Sequence, residues 1–207
     1  IHIDNFLKEL PAAIGILKEP YYDVMNWYYL VKNSKSVSNS LLTGDGADEI
    51  FGGYTFRYSK FLNSVNGNSS PIEKIKTYLQ CHERDWVPDQ ENLFGKKFEF
   101  SWNQINDILK PFFDNPLSTL DQLFLADFNG KLKNNFIPNY EKFYNFFKIS
   151  SISPFLENSV IEEGLRISPE EKYDSSKNIG KLPLRKLIPE HVSSLLFPKL
   201  KQGFAVN

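Results

Sequence analysis

The chain has 207 residues, 41% of them hydrophobic and 15% aromatic, and its 24 basic and 25 acidic side chains leave a net charge of −1. That length fits one ordinary domain able to enclose a core without disulfides, and the composition is globular. The scattered, balanced charge excludes the one-sided basic surplus of a nucleic-acid binder, and no apolar run approaches the roughly 20 residues of a membrane span, so neither nucleic acid nor membrane is an expected partner.

The single cysteine, Cys81, can form no intrachain disulfide, which agrees with a reducing compartment, and the expected location is the cytoplasm. The chain opens at Ile1-His2-Ile3 without an initiator Met, so a segment upstream is expected to have been removed. Ile1–Ile3 is a strand candidate, followed by expected helices in Asp4–Leu17 and in the aromatic stretch Asp23–Ser34. The uncharged run Ser38–Thr43 predicts a parallel strand buried on both faces, with a helix from Ala47 onward. The polar stretch Asn63–Pro71 predicts an exposed loop. Core-facing helices are expected in Pro71–Arg84, through Ile72, Ile75, Tyr78 and Leu79, and in Pro116–Phe128, through Leu117, Leu120, Leu123 and Leu125. A Ser159–Glu162 capping box is expected to start the next helix, and Pro183 and Pro189 bound the last. Residues 1–60 thus carry the strand and loop part and 61–207 a mainly helical part, with too few strands for a complete sheet.

The chemistry concentrates in "LLTGDGADEIFGGY", Leu41 to Tyr54. If Leu41–Thr43 is a strand and Ala47 starts a helix, Gly44, Asp45 and Gly46 form the turn at the strand's carboxyl end, where open α/β sheets bind ligands. The glycines permit positive φ and close approach to a phosphate, and Asp45 and Asp48 beside a polyphosphate make sense if Mg²⁺ bridges them or one handles a proton. The alternative is a plain Asp-Gly turn in which Asp45 or Asp48 caps the helix and Glu49 is a solvated first-turn acid. Walker A, dinucleotide and EF-hand patterns all fail on spacing.

The stretch "TGDGADEIFGGY" resembles the loop of the synthetase domain in the glutamine-dependent asparagine synthetase family. "KEPYYD", "SPFLENSVIEEGLRISPEEK" and "GKLPLRKLIPEHV" followed by "KLKQGFAV" resemble further segments in the family's order. The resemblance implies an adenine-nucleotide α-hydrolase-like (PP-loop) α/β fold with a parallel sheet, here incomplete. It also implies ATP and Mg²⁺, a side-chain carboxylate activated as an acyl-adenylate with loss of pyrophosphate, and attack by an amine. It assigns Thr43, Gly44 and Gly46 to the nucleotide and Asp48 to the Mg²⁺ pyrophosphate. Asp45 falls to the intermediate or the amine's proton, and Lys201 to the charge developing on phosphate and carbonyl oxygen. Glu141 falls where the family has an Asp near the substrate, Lys181 and Arg185 meet phosphate or sit on a polar helix face, and Glu19 supports the loop. His2, His82 and His191 lack metal-ligand spacing and are expected to be structural.

The chain also departs from the family pattern. It lacks the S-G-G-x-D-S loop and the N-terminal catalytic Cys, so this chain alone is not expected to hydrolyse glutamine. Ser150-Ser151-Ile152-Ser153-Pro154 stands where the family reads E-x-R-x-P. The implied partners are aspartate or another carboxylate, and ammonia or an amine from a glutaminase domain on other residues or another chain. The chain is then a fragment, a split-enzyme subunit or homo-oligomer component, or a degenerate homologue, and the product is asparagine or a different amide such as a lactam.

Overall fold

The computed structural model describes residues 3–19, 21, 23–82, 99–189 and 192. It is an α/β molecule, mostly helical, with a two-stranded parallel sheet. The first layer pairs α1 (Ile3–Leu17) and α2 (Val24–Lys35) with α8 (Ile137–Phe147). Their apolar stripes bury Ala13, Leu17, Trp27, Tyr28, Val31, Phe143 and Tyr144 together, and the Trp27 ring stacks on Tyr140. Ile3 opens α1, so the expected strand at Ile1–Ile3 does not form through Ile3; residues 1 and 2 lie outside the described residues.

The second layer holds α4 (Thr55–Ser64), α5 (Pro71–Gln80), α6 (Trp102–Phe113) and α7 (Thr119–Ala126). Tyr58, Phe61, Ile75, Tyr78, Phe113, Leu120, Leu123 and Phe124 form its core. The loop before α5 is exposed where expected, and Ser70 closes it with a reciprocal capping box to Glu73, Pro71 taking the first helical position, where no backbone donor is needed. Ile72 and Leu117 were expected in the core but are 39% and 48% exposed, because the buried faces run through Ile75–Tyr78 and Leu120–Leu123.

A π-helix, Asp127–Phe136, continues α7 into α8 and so ties the layers together. Its first residue, Asp127, is fully buried and pairs with buried Arg57 of α4 at 3.1 Å, while the Tyr78 hydroxyl of α5 donates to the same carboxylate at 3.0 Å. Three elements therefore meet at one charge pair.

The sheet consists of β1 (Ser40–Leu42) and β2 (Ser150–Ile152), in register Ser40 to Ser150 and Leu42 to Ile152. The expected strand and its parallel direction hold; its burial on both faces does not, since Leu42 is 70% and Ile152 50% exposed. After a 3₁₀ turn (Pro154–Leu156) come α9 (Asn158–Arg166), α10 (Pro169–Lys172) and α11 (Leu182–Lys186), the last with Pro183 in its first turn as expected. The expected Ser159 capping box is absent: Glu157 is the N-cap and Ser159 lies inside α9, whereas Ser168 and Glu171 form a box at α10. No helix among the described residues is long and apolar enough to cross a membrane.

Removing Asp127 would strand Arg57 in the interior. Asp127→Ala is expected to cost about 3–5 kcal/mol, read as a lowered urea midpoint, whereas a surface control, Glu163→Ala, should stay within about 0.5 kcal/mol.

Candidate active site

The loop Thr43–Gly46 leaves the carboxyl end of β1 and enters α3 (Ala47–Phe51). Thr43 extends the parallel ladder by donating its backbone N–H to the Ile152 carbonyl at 2.8 Å, and its hydroxyl lies 2.6 Å from that of Ser153. Gly44 faces open space, leaving its backbone accessible to a ligand. Gly46 has φ 89° and lies against Leu156, so the second glycine serves the turn itself.

The two loop acids occupy different environments. Asp45 is pulled out of water, and burial raises its pKa above the usual carboxylate value against a lowering hydrogen bond with Thr43. Its charge is felt by Tyr140 and Tyr144 of α8, whose phenols are pushed up mainly by their own burial. The Tyr144 hydroxyl is buried with no hydrogen-bond partner among the described residues. Asp48 instead pairs through Oδ1 with the Lys181 ammonium at 2.9 Å, each side chain about one quarter exposed.

Backbone contact produces that pairing. Lys181, at φ 56°, donates its N–H to the Phe51 carbonyl at 3.0 Å. A Cβ on Gly180 would fall 1.9 Å from the Gly52 carbonyl oxygen, and one on Gly53 would fall 1.6 Å from Asp48 Oδ1. Glycine is required at position 180 because another backbone already fills the space, while a side chain at position 53 would push the Asp48 carboxylate and the Lys181 side chain aside. Arg185 does not reach the loop acids; its Nε donates to the Gly180 carbonyl at 2.9 Å and steadies the same turn.

Glu49 overturns the reading as a solvated first-turn acid: it is 4% exposed and accepts a hydrogen bond from the Tyr54 hydroxyl. Burial raises both groups' pKa values, and the Glu49 charge adds to the shift of Tyr54. Behind them Arg57 lies over the Tyr54 ring at 4.0 Å and bonds His82. His82 donates from Nδ1 to the Tyr78 carbonyl at 2.8 Å, which leaves Nε2 as the acceptor for Arg57 and keeps the ring neutral. This supporting network had no signal in the sequence spacing, since Arg57 and Asp127 are 70 residues apart.

Glu141 is exposed on α8. Glu19 is not bonded to the loop; it pairs with Lys142 at 2.7 Å and clasps the end of α1 to α8. Cys81 is buried at the end of α5. Lys201, His2 and His191 lie outside the described residues.

The donor set fits Mg²⁺ as one component of a site. No cluster of three or more metal-ligating side chains occurs among the described residues. Asp48 offers the hard carboxylate oxygen that Mg²⁺ takes in ones and twos, with phosphate and water completing the shell.

Two outcomes test this arrangement. Gly180→Ala should force the turn off Gly52 and destabilise the protein by about 2 kcal/mol in thermal unfolding, while Gly67→Ala, in open space, should be near neutral. Burial and the Arg57 charge hold His82 well below its usual value of 6.5, so the unfolded chain takes up a proton there that the native protein refuses. Stability should therefore fall as pH drops from 7.5 to 5.5, by about 1 kcal/mol from this group, and His82→Gln should lose that increment in paired urea titrations.

The chain matches the Asparagine synthase family over residues 1–207. It is 24% identical over 236 aligned positions to asparagine synthetase [glutamine-hydrolyzing] 1 of Bacillus subtilis (strain 168), covering 98% of this chain and 36% of that protein. Proteins of Mycobacterium tuberculosis (strain H37Rv) and Mycobacterium bovis, each provisionally named a glutamine-hydrolysing asparagine synthetase, are 25% identical over 126 residues, 54% of this chain and 19% of theirs. No solved structure matches. The chain thus spans about a third of the length of the B. subtilis relative, and with a strand, acidic glycine loop and helix in the order its motifs call for, it belongs to the asparagine synthase family.

Proposed function

We propose that this chain forms the carboxyl-terminal part of an ATP-dependent amide-forming ligase. A carboxylate, with aspartate the first substrate to test, is activated as an acyl-adenylate with release of pyrophosphate and then aminated by ammonia or an amine delivered from elsewhere. The observation that carries the reading is the loop 43–48 at the carboxyl end of a parallel strand, holding one desolvated acid and one acid paired to a cation. A carboxylate needs activation because oxide leaves poorly, whereas AMP leaves readily.

Thr43, Gly44 and Gly46 hold the nucleotide in this reading, the open space at Gly44 admitting it. Asp48 would hold Mg²⁺, which would supply neutralising charge for the departing pyrophosphate. Asp45, with its raised proton affinity, orients the intermediate or accepts the attacking amine's proton. The same reading assigns Lys201 to the charge developing on the oxyanion and the exposed Glu141 to the carboxylate substrate. The exposed Leu42 and Ile152 and the open sheet suit further strands, from a longer chain or a partner, carrying the rest of the nucleotide site.

A second reading, a synthetase that forms a different amide, is favoured by one feature. Ser150 and Ile152 occupy positions where the family pattern has an acid and an arginine, and Ile152 turns half its surface outward beside the loop.

The deciding experiment is pyrophosphate release from MgATP by the completed protein, with a panel of carboxylates and amines. Asp48→Ala and Lys201→Ala should each lower release at least about a hundredfold, and Asp45→Asn should slow amide formation more than pyrophosphate release. Unchanged rates in all three would remove the assignment. Aspartate dependence would select the first reading, and dependence on another carboxylate the second.

A further inference from the structure

We propose that Lys181 is a resident counter-ion of Asp48 that keeps a bare divalent cation off this carboxylate and yields only to a cation arriving with its own anion, such as polyphosphate oxygens. The proposal rests on the reading of Asp48 as the Mg²⁺ ligand.

The ion pair differs from a loose surface contact in how it is held. Lys181 Nζ lies 2.9 Å from Asp48 Oδ1, with both side chains about three-quarters buried. The lysine backbone is pinned by its bond to the Phe51 carbonyl, and the preceding carbonyl accepts from Arg185. Both side chains cross the notch left by Gly53: a Cβ there would fall 2.6 Å from Lys181 Cε as well as 1.6 Å from the Asp48 oxygen. The lysine backbone therefore stays beside Asp48 while the Gly180 turn is seated on Gly52, and only a swing of the side chain can move the ammonium away.

The consequence is electrostatic. A metal ion binding Asp48 must share or displace the ammonium, and in either case the lysine then faces a divalent charge a few ångströms away with its own partner lost. At partial burial that repulsion weighs against metal binding. An anion accompanying the metal would reverse the sign, because its oxygens would offset the cation's charge and offer the released ammonium a new partner. Lys181 thus makes loading of the metal conditional on phosphate, and no cation is held between turnovers.

The test measures Mn²⁺ binding directly, by the electron paramagnetic resonance signal of the free ion, on the full chain with no substrate and then with pyrophosphate. Without pyrophosphate, Lys181→Met and Lys181→Gln should bind Mn²⁺ about three- to tenfold more tightly than the native protein. Lys181→Arg should not, and Asp48→Asn combined with Lys181→Met should abolish the gain. With pyrophosphate the native protein should bind at least as tightly as Lys181→Met. Two neutral replacements, each checked by circular dichroism, guard against misfolding of one. If Asp48-dependent binding is present but equal in the native protein and both neutral variants, or if Lys181→Arg behaves as they do, the proposal falls while Asp48 keeps its role. If Asp48→Asn changes Mn²⁺ binding in neither background, the metal reading of Asp48 falls, and the proposal with it.

Discussion

A guanidinium with almost no access to water has to be answered by a carboxylate, and the geometry of that answer organises this molecule. Arg57 reaches Asp127 across the interior, and neither can shift without leaving a charge exposed to a medium that solvates it poorly. Because Arg57 stands on α4, Asp127 at the start of the π-helix, and Tyr78 and His82 at the end of α5, the pair sets the mutual position of three elements. Tyr54 carries the constraint onward: its ring lies under Arg57 and its hydroxyl holds Glu49, one residue from Asp48. The exit of the glycine loop is thus anchored from behind by charge, and its entry from the side by the strand ladder.

Local features of this fold were legible in the sequence in proportion to how local their causes are. Periodic apolar residues and Pro71 mark α5, and the uncharged run before Gly44 marks β1, because each signal acts within a few residues. β2 was missed because Ser150-Ser151-Ile152 has no strand character of its own and is extended through pairing with β1. Ser159 matched the capping pattern yet lost to Glu157, whose extended backbone opens the helix two residues earlier. Glu49 looked like a solvated helix acid since Tyr54 closes over it only after the chain turns at Gly52. The motif residues Thr43 to Asp48 were readable as a loop between strand and helix; that Asp48 meets Lys181 was not, for that contact depends on where the Gly180 turn lands.

Two carboxylates three residues apart have been given opposite surroundings. Asp45 is desolvated near two phenols, and burial raises its proton affinity, while Asp48 is matched with a fixed positive charge. A turn built this way gives two neighbouring carboxylates different electrostatic surroundings, which is what the proposed division between proton handling and cation handling requires. Gly46 and Gly52 serve the turn through their positive φ, whereas Gly180 matters as a place where another backbone already sits.

Thr43 and Ser153 touch across 110 residues of intervening chain. A parallel pair cannot close through a hairpin, so this wall of the site is joined by a crossover that runs through the helices between β1 and β2. Contacts of this kind raise the contact order of a fold, which slows folding overall. The wall of the acidic loop thus depends on a contact of high sequence separation, whose closure entropy the helical layers between the two strands must offset.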